Sequence, residues 1–206
     1  MMENNATVSD REVCALARRR FLLAAGAGVG LTHAAGDAMG AETAEEAFTI
    51  YDETTRLPLN DDGAAIIRNA HDLGSRLHTR HGGCCRCTVA ALQQALEMVP
   101  KHPGLFRAAT CLDGGAAPGG KLSCGCFTGA GIVIGYVCGG ENFGDTGLAH
   151  KLIQQVAKRF QETYGSVLCQ DASKSGDCHN VVARAVQWTA EALLAQFSGY
   201  TNPPQE

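Results

Sequence analysis

Chemistry in this sequence is concentrated in its cysteines. There are ten: Cys14, Cys84, Cys85, Cys87, Cys111, Cys124, Cys126, Cys138, Cys169 and Cys178. Nine of them lie beyond residue 80. A thiolate is both a soft metal ligand and a nucleophile, so such a concentration calls for metal, thiol exchange or disulfides. The main groups fall in four places: Cys84-Cys85-Arg86-Cys87, Cys124-Gly125-Cys126, Cys169 and Cys178. Their spacing matches neither a zinc-finger nor a ferredoxin template. Cys84 and Cys87 formally make a C-x-x-C pair, a moderate signal for metal or dithiol chemistry. Covalent haem is not supported, because Ser175-Gly176-Asp177-Cys178-His179 has serine where the first cysteine of C-x-x-C-H would stand. Nine cysteines beyond a leader cannot all pair internally. Cys111 and Cys138 stand apart and read as small apolar fillers.

Several elements must position these thiols. Asn60, Asp61 and Asp62 supply capping and negative charge for a helix whose stripe is Ile66, Ile67, Ala70, Leu73 and Leu77. Gly82-Gly83 ends it. A second helix starts among the cysteines at 84–87 and continues through Val89, Leu92, Leu96 and Val99, closed by Pro100 and Pro103. A short helix covers 104–111, and GGAAPGG at 114–120 is a turn-rich break. The run 122–139 is apolar almost all round, the mark of a buried helix. Gly125 and Gly129 make one side smooth enough for another backbone to approach. Leu152, Ile153, Val156, Phe160 and Tyr164 form an amphipathic stripe stopped by Gly165, and a last helix runs over about 178–197. No stretch alternates as a strand does. The expected fold is all-α, a bundle of five or six helices with a buried glycine-rich helix. Helix starts lower thiol pKa values, and on this reading three cysteine groups lie at helix starts: 84–87, 124–126 and 178.

Histidines add candidates. His71 and His78 are two turns apart on one edge of the first helix; the pair could ligate metal or non-covalent haem, but more often forms the polar border of an apolar stripe. His179 could tune or join Cys178. Trp188 reads as core or interface.

The first forty residues read as an address. Arg18, Arg19 and Arg20 precede Phe21 and Leu22, which fits the twin-arginine pattern, with a short glycine-containing apolar run to Leu31. The chain divides into a twin-arginine signal (1–40), a lead-in (41–59) and a cysteine-rich helical redox domain (60–200). The implied destination is the periplasm, and folding before export would let reduced thiols meet a metal in the cytosol. The chain of 206 residues carries a net charge of -4 and is 45% hydrophobic. That balance suits a globular domain and excludes nucleic acid as a partner, which would need a basic footprint.

Cys124-Gly125-Cys126-Phe127-Thr128-Gly129 resembles a C-G-A-x-x-G signature, with Cys126 in place of alanine. CCRCTVAAL at 84–92 resembles an earlier cysteine helix, GSVLC at 165–169 a third cysteine site, and Cys178 a fourth. Together they resemble the C-GCAxxG-C-C family of putative redox-active proteins over about residues 80–197. The resemblance implies four principal cysteines: Cys84, Cys124, Cys169 and Cys178. It also implies twin-arginine export and an oxidoreductase partner, periplasmic or membrane-associated. A similar domain occurs in split-Soret cytochromes beside haem, and only its iron–sulfur half could carry over here. The expectation is therefore electron transfer through an iron–sulfur cluster, [2Fe–2S] for preference, on those four cysteines. Cys85, Cys87, Cys126 and His179 are additional ligands or redox groups. A thiol–disulfide protein, or a disulfide-stapled accessory subunit, is the alternative. A homodimer could form along the glycine-smooth helix.

Overall fold

A computed structural model describes residues 50–201 apart from 117, 118 and 175. The twin-arginine motif at Arg18, Arg19, Phe21 and Leu22 lies outside the described residues. Among the described residues the fold is all-α, with seven helices and no strand beyond one isolated β-bridge.

Five helices form the body. The first, α1 (Gly63–His81), is capped by Asp62, whose carboxylate accepts from the Ala64 N–H at 3.0 Å. Gly82 closes it with φ +63°, a left-handed value that suits glycine. Helix α2 (Cys84–Ala95) follows at once. It stops a turn earlier than its apolar stripe suggests, because Val99 precedes Pro100 and a residue before proline avoids helical backbone. Leu96 and Val99 still reach the core from the connection. The buried Gln93 amide ties that connection down by donating to the carbonyls of Pro100 and His102. A short α3 (Pro103–Ala108) runs into a 3₁₀ turn at Ala109–Leu112.

The apolar helix, α4, spans Gly125–Cys138, with Cys124 as its extended N-cap. It begins later than expected because Leu122 and Ser123 are used differently: Ser123 bridges Leu168 in antiparallel fashion. Gly125 and Gly129 do what their spacing predicts. A Cβ at Gly129 would lie 2.8 Å from the Cys85 carbonyl oxygen and 3.0 Å from Thr88 Cβ. The smooth face of α4 is thus spent inside the chain against α2, and a dimer would have to use another surface.

Helix α5 (Gly147–Tyr164) ends on left-handed Gly165, and the chain then makes a single turn, α6 (Cys169–Ala172). The last helix, α7 (Cys178–Ser198), packs against α1, α2, α4 and α5. Its core side includes Val182, Val186, Leu193 and Phe197, all fully buried. Gly74 of α1 allows a close crossing, since a Cβ there would lie 3.1 Å from Ala183 Cα. Trp188 is core: its ring meets Phe160 edge-on at 5.4 Å. No described helix is long and apolar enough to cross a membrane.

Candidate functional site: a cysteine-lined cavity

The four principal cysteines all stand at helix starts. Cys84 is the first residue of α2, Cys124 the N-cap of α4, Cys169 the first residue of α6 and Cys178 the first of α7. Sequence periodicity locates three of these starts; α6 has only four residues, too few to show a period. A local device recurs at three of them. Thr88, Thr128 and Ser173 each donate a hydroxyl to the carbonyl of the cysteine four residues earlier, Cys84, Cys124 and Cys169, at 2.9, 3.2 and 2.7 Å. Such back-bonding to the preceding turn braces the start of each element.

The starts are tied to one another. Cys124 N–H donates to the Val167 carbonyl and Cys169 N–H to the Leu122 carbonyl, at 2.8 and 2.9 Å. These bonds flank the Ser123–Leu168 bridge and hold two cysteines side by side. On the opposite wall, α2 has no cap of its own at Gly83. Asp113 supplies one from a distance: its carboxylate accepts from the Cys85 N–H at 2.6 Å and faces Arg86 Nε at 3.5 Å. The next residues, Gly114 and Gly115, turn left-handed with φ +59° and +77°. That turn aims the Gly114 N–H at Cys84 Sγ, 3.5 Å away. Gly115 must also be small, because a Cβ there would lie 2.9 Å from Cys169 Cβ.

The result is one cavity of about 220 Å³. Cys84, Cys124, Cys126, Cys169 and Cys178 line it, with His78, Asp113, Gly114, Ser173 and Val181. All nine described cysteines are free thiols. Cys126 is buried at 1% exposure, whereas Cys84, Cys169 and Cys178 are half-buried. A hydrogen bond from Cys126 holds the Cys84 thiol down at about 6, against the opposing effect of burial, and the Gly114 N–H adds to it. The same Cys126 hydrogen bonding lowers Cys124. Cys126, as proton donor to both, is pushed well up. Burial raises Cys169 and Cys178, and the neighbouring sulfurs of Cys84 and Cys124 raise them further. Hydrogen bonding thus favours the ionised form at Cys84 and Cys124, while burial and those same sulfurs disfavour it at Cys169 and Cys178.

The remaining expected residues lie elsewhere. Cys85 is fully buried, and burial and Asp113 push its thiol up to about 12. Cys87 turns away and donates to the Gly82 carbonyl at 3.0 Å. His179 is exposed and contacts Asp177 at 2.6 Å, outside the cavity lining. Cys138 is the buried filler its surroundings suggest, donating to the Ile134 carbonyl at 3.2 Å. Cys111 is exposed, which corrects its reading as a filler: it sits on the 3₁₀ turn, beyond the core. The two histidines of α1 part company. His71 pairs with Asp72 at 3.1 Å, while His78 reaches the cavity and is held below its ordinary pKa by burial and by His179. Asp113 carried no sequence signal beyond its place before two glycines.

A single ion bound at about 2.3 Å needs its sulfur ligands within roughly 4 Å of one another. Among the described residues no group of three or more His, Cys, Asp or Glu side chains is placed to hold a metal ion. Four soft sulfur donors around one space are the ligand type that iron–sulfur groups take.

A family model described as "Putative redox-active protein (C_GCAxxG_C_C)" matches residues 83–192. No curated protein and no solved structure matches. The matched segment contains every cysteine of the cavity and more than half of the 206 residues, and the chain belongs to the C_GCAxxG_C_C family.

Proposed function

We propose that this protein transfers electrons through an iron–sulfur cluster, of the [2Fe–2S] type, bound in the cavity by Cys84, Cys124, Cys169 and Cys178. The observation that carries the reading is the meeting of four thiols, from four separate helix starts, around one space. A cluster there supplies an iron couple whose potential depends on burial and on hydrogen bonds to sulfur. The chain's own residues prepare for it. Gly114 N–H and the Cys126 thiol favour the ionised form of Cys84. Asp113 holds the start of α2 in place through the Cys85 N–H. Val181 and Cys126, both buried, form part of the cavity lining. The resistance of Cys169 and Cys178 to ionisation, from burial and the neighbouring sulfurs, is what a cationic iron centre would relieve.

Cycling between Cys84 and Cys87, the pair that C-x-x-C spacing suggests, has less support, because Cys87 faces the Gly82 carbonyl. The twin-arginine pattern at Arg18 and Arg19 supports export to the periplasm with the centre already assembled, and an oxidoreductase there or at the membrane as electron partner.

The test is expression in an export-competent host without oxygen. The exported protein should contain iron and acid-labile sulfide in equal amounts and absorb in the visible. Each of Cys84→Ser, Cys124→Ser, Cys169→Ser and Cys178→Ser should lower iron content at least several-fold, whereas Cys138→Ser should leave it. Arg18→Lys with Arg19→Lys should strand the protein in the cytosol. Colourless, iron-free protein would end the electron-carrier reading.

A further inference from the structure

One buried nucleophile has no part in that ligand set. Cys126 is the second residue of α4 and is 1% exposed, yet it lines the cavity rather than the apolar core alone. It stands where the resembling signature has alanine, outside the four principal cysteines. Its partner is close by. A Cβ on Gly125 would lie 2.5 Å from Cys84 Sγ, so the sulfur of Cys84 rests on the first turn of α4. Cys126, on the same turn and lining the same cavity, hydrogen bonds to that sulfur and to the sulfur of Cys124.

We infer that Cys84 and Cys126 form a reversible disulfide across the starts of α2 and α4 when the cavity holds no metal, and that the oxidant is another disulfide. This adds a second redox state to the site. Only its consequence rests on the cluster reading: the disulfide withdraws Cys84 from the ligand set.

The chemistry follows from access. Cys84 is half-buried and open to reagent, while Cys126 is not. The Cys84 thiolate attacks one sulfur of R–S–S–R, making a mixed disulfide and releasing RS⁻. That thiolate takes the proton of Cys126. The Cys126 sulfur then attacks the Cys84 sulfur, the Cys84–Cys126 bond forms, and the second RS⁻ leaves. Two electrons pass from the protein to the small disulfide, and the attacking species is a thiolate at each step. Competing pairs are worse placed. Cys124 is the other hydrogen-bond partner of Cys126, but it is buried, at 4% exposure, whereas Cys84 is half-buried, so of the two Cys84 is the one open to the oxidant. The Cys87 thiol is engaged with the Gly82 carbonyl.

The experiment treats reduced, metal-free protein with oxidised glutathione at neutral pH, blocks the remaining thiols and maps disulfides by peptide mass spectrometry. The expected product is protein lighter by two hydrogens, with Cys84 joined to Cys126 as the main cross-link and dithiothreitol restoring both thiols. Cys126→Ala should stop at the glutathione adduct on Cys84, and circular dichroism reports whether that variant folds. A main cross-link of Cys84 or Cys126 to Cys124, or a lasting adduct on Cys84 in the unaltered chain, would overturn the proposal whether or not the variant folds. Iron content plays no part in this readout, so it stands or falls apart from the cluster reading. If both hold, closing the disulfide should lower iron uptake several-fold and reduction should restore it.

Discussion

At the scale of single residues, Cys84 is the most distinctive group. The Cys126 hydrogen bond brings its pKa from the ordinary 9.0 to about 6, with burial working against it. Alkylation of Cys84 in metal-free protein should therefore be half-maximal near pH 6, measured by peptide mass spectrometry across a pH series. Cys126→Ala should move that midpoint upward. The link to stability has a definite sign. The folded pKa is depressed, so this thiolate contributes most above pH 9, less from 9 down to about 6, and nothing below. Cys84, Cys124, Cys169 and Cys178 were all named from the sequence through the family resemblance; helix starts signalled three of the four places and not Cys169, whose element has only four residues. His78 and Asp113 were harder to single out. Histidine at a helix edge usually borders an apolar stripe, and here only the direction of the His78 side chain separates it from His71. Asp113 acts across 28 residues on the Cys85 N–H, and no local pattern encodes that reach.

At the scale of elements, the contact between α2 and α4 sets the geometry of the inner wall. A methyl group at Gly129 would press on the Cys85 carbonyl at 2.8 Å and on Thr88. Gly129→Ala should cost about 1–3 kcal/mol through overpacking, read as a lower midpoint in urea. Its effect should reach the cavity, because Thr88 also braces Cys84. The long helices are legible in the sequence through stripes, caps and glycine stops. The shorter pieces are not. An apolar run that begins at Leu122 gives no cue that α4 waits until Gly125, since the cue is a bridge to Leu168, forty-five residues away. The left-handed turn at Gly114 and Gly115 is visible as glycine-rich but not as a donor aimed at sulfur.

Across the whole molecule, core and cavity share α7. The helix starts at Cys178 on the cavity and continues as the common partner of α1, α2, α4 and α5. Trp188 and Phe160 anchor it to α5 with an edge-on ring contact at 5.4 Å. Trp188→Ala should cost about 3–5 kcal/mol, measured by thermal unfolding. Because α7 carries Cys178, the same variant should loosen the cavity, seen as faster alkylation of Cys178 at constant pH. The all-α class was readable from helical periodicity alone. The joint duty of α7 was not, since a stripe identifies a buried face but not its neighbours.

That the last long helix bears a cavity wall has a consequence in time. Cys84 and Cys178 are separated by most of the described chain. While a ribosome is still making the protein, the first three walls emerge without the fourth. A chain that stops short of α7 does not enclose the space, so any prosthetic group can be sealed in only after that helix has been made.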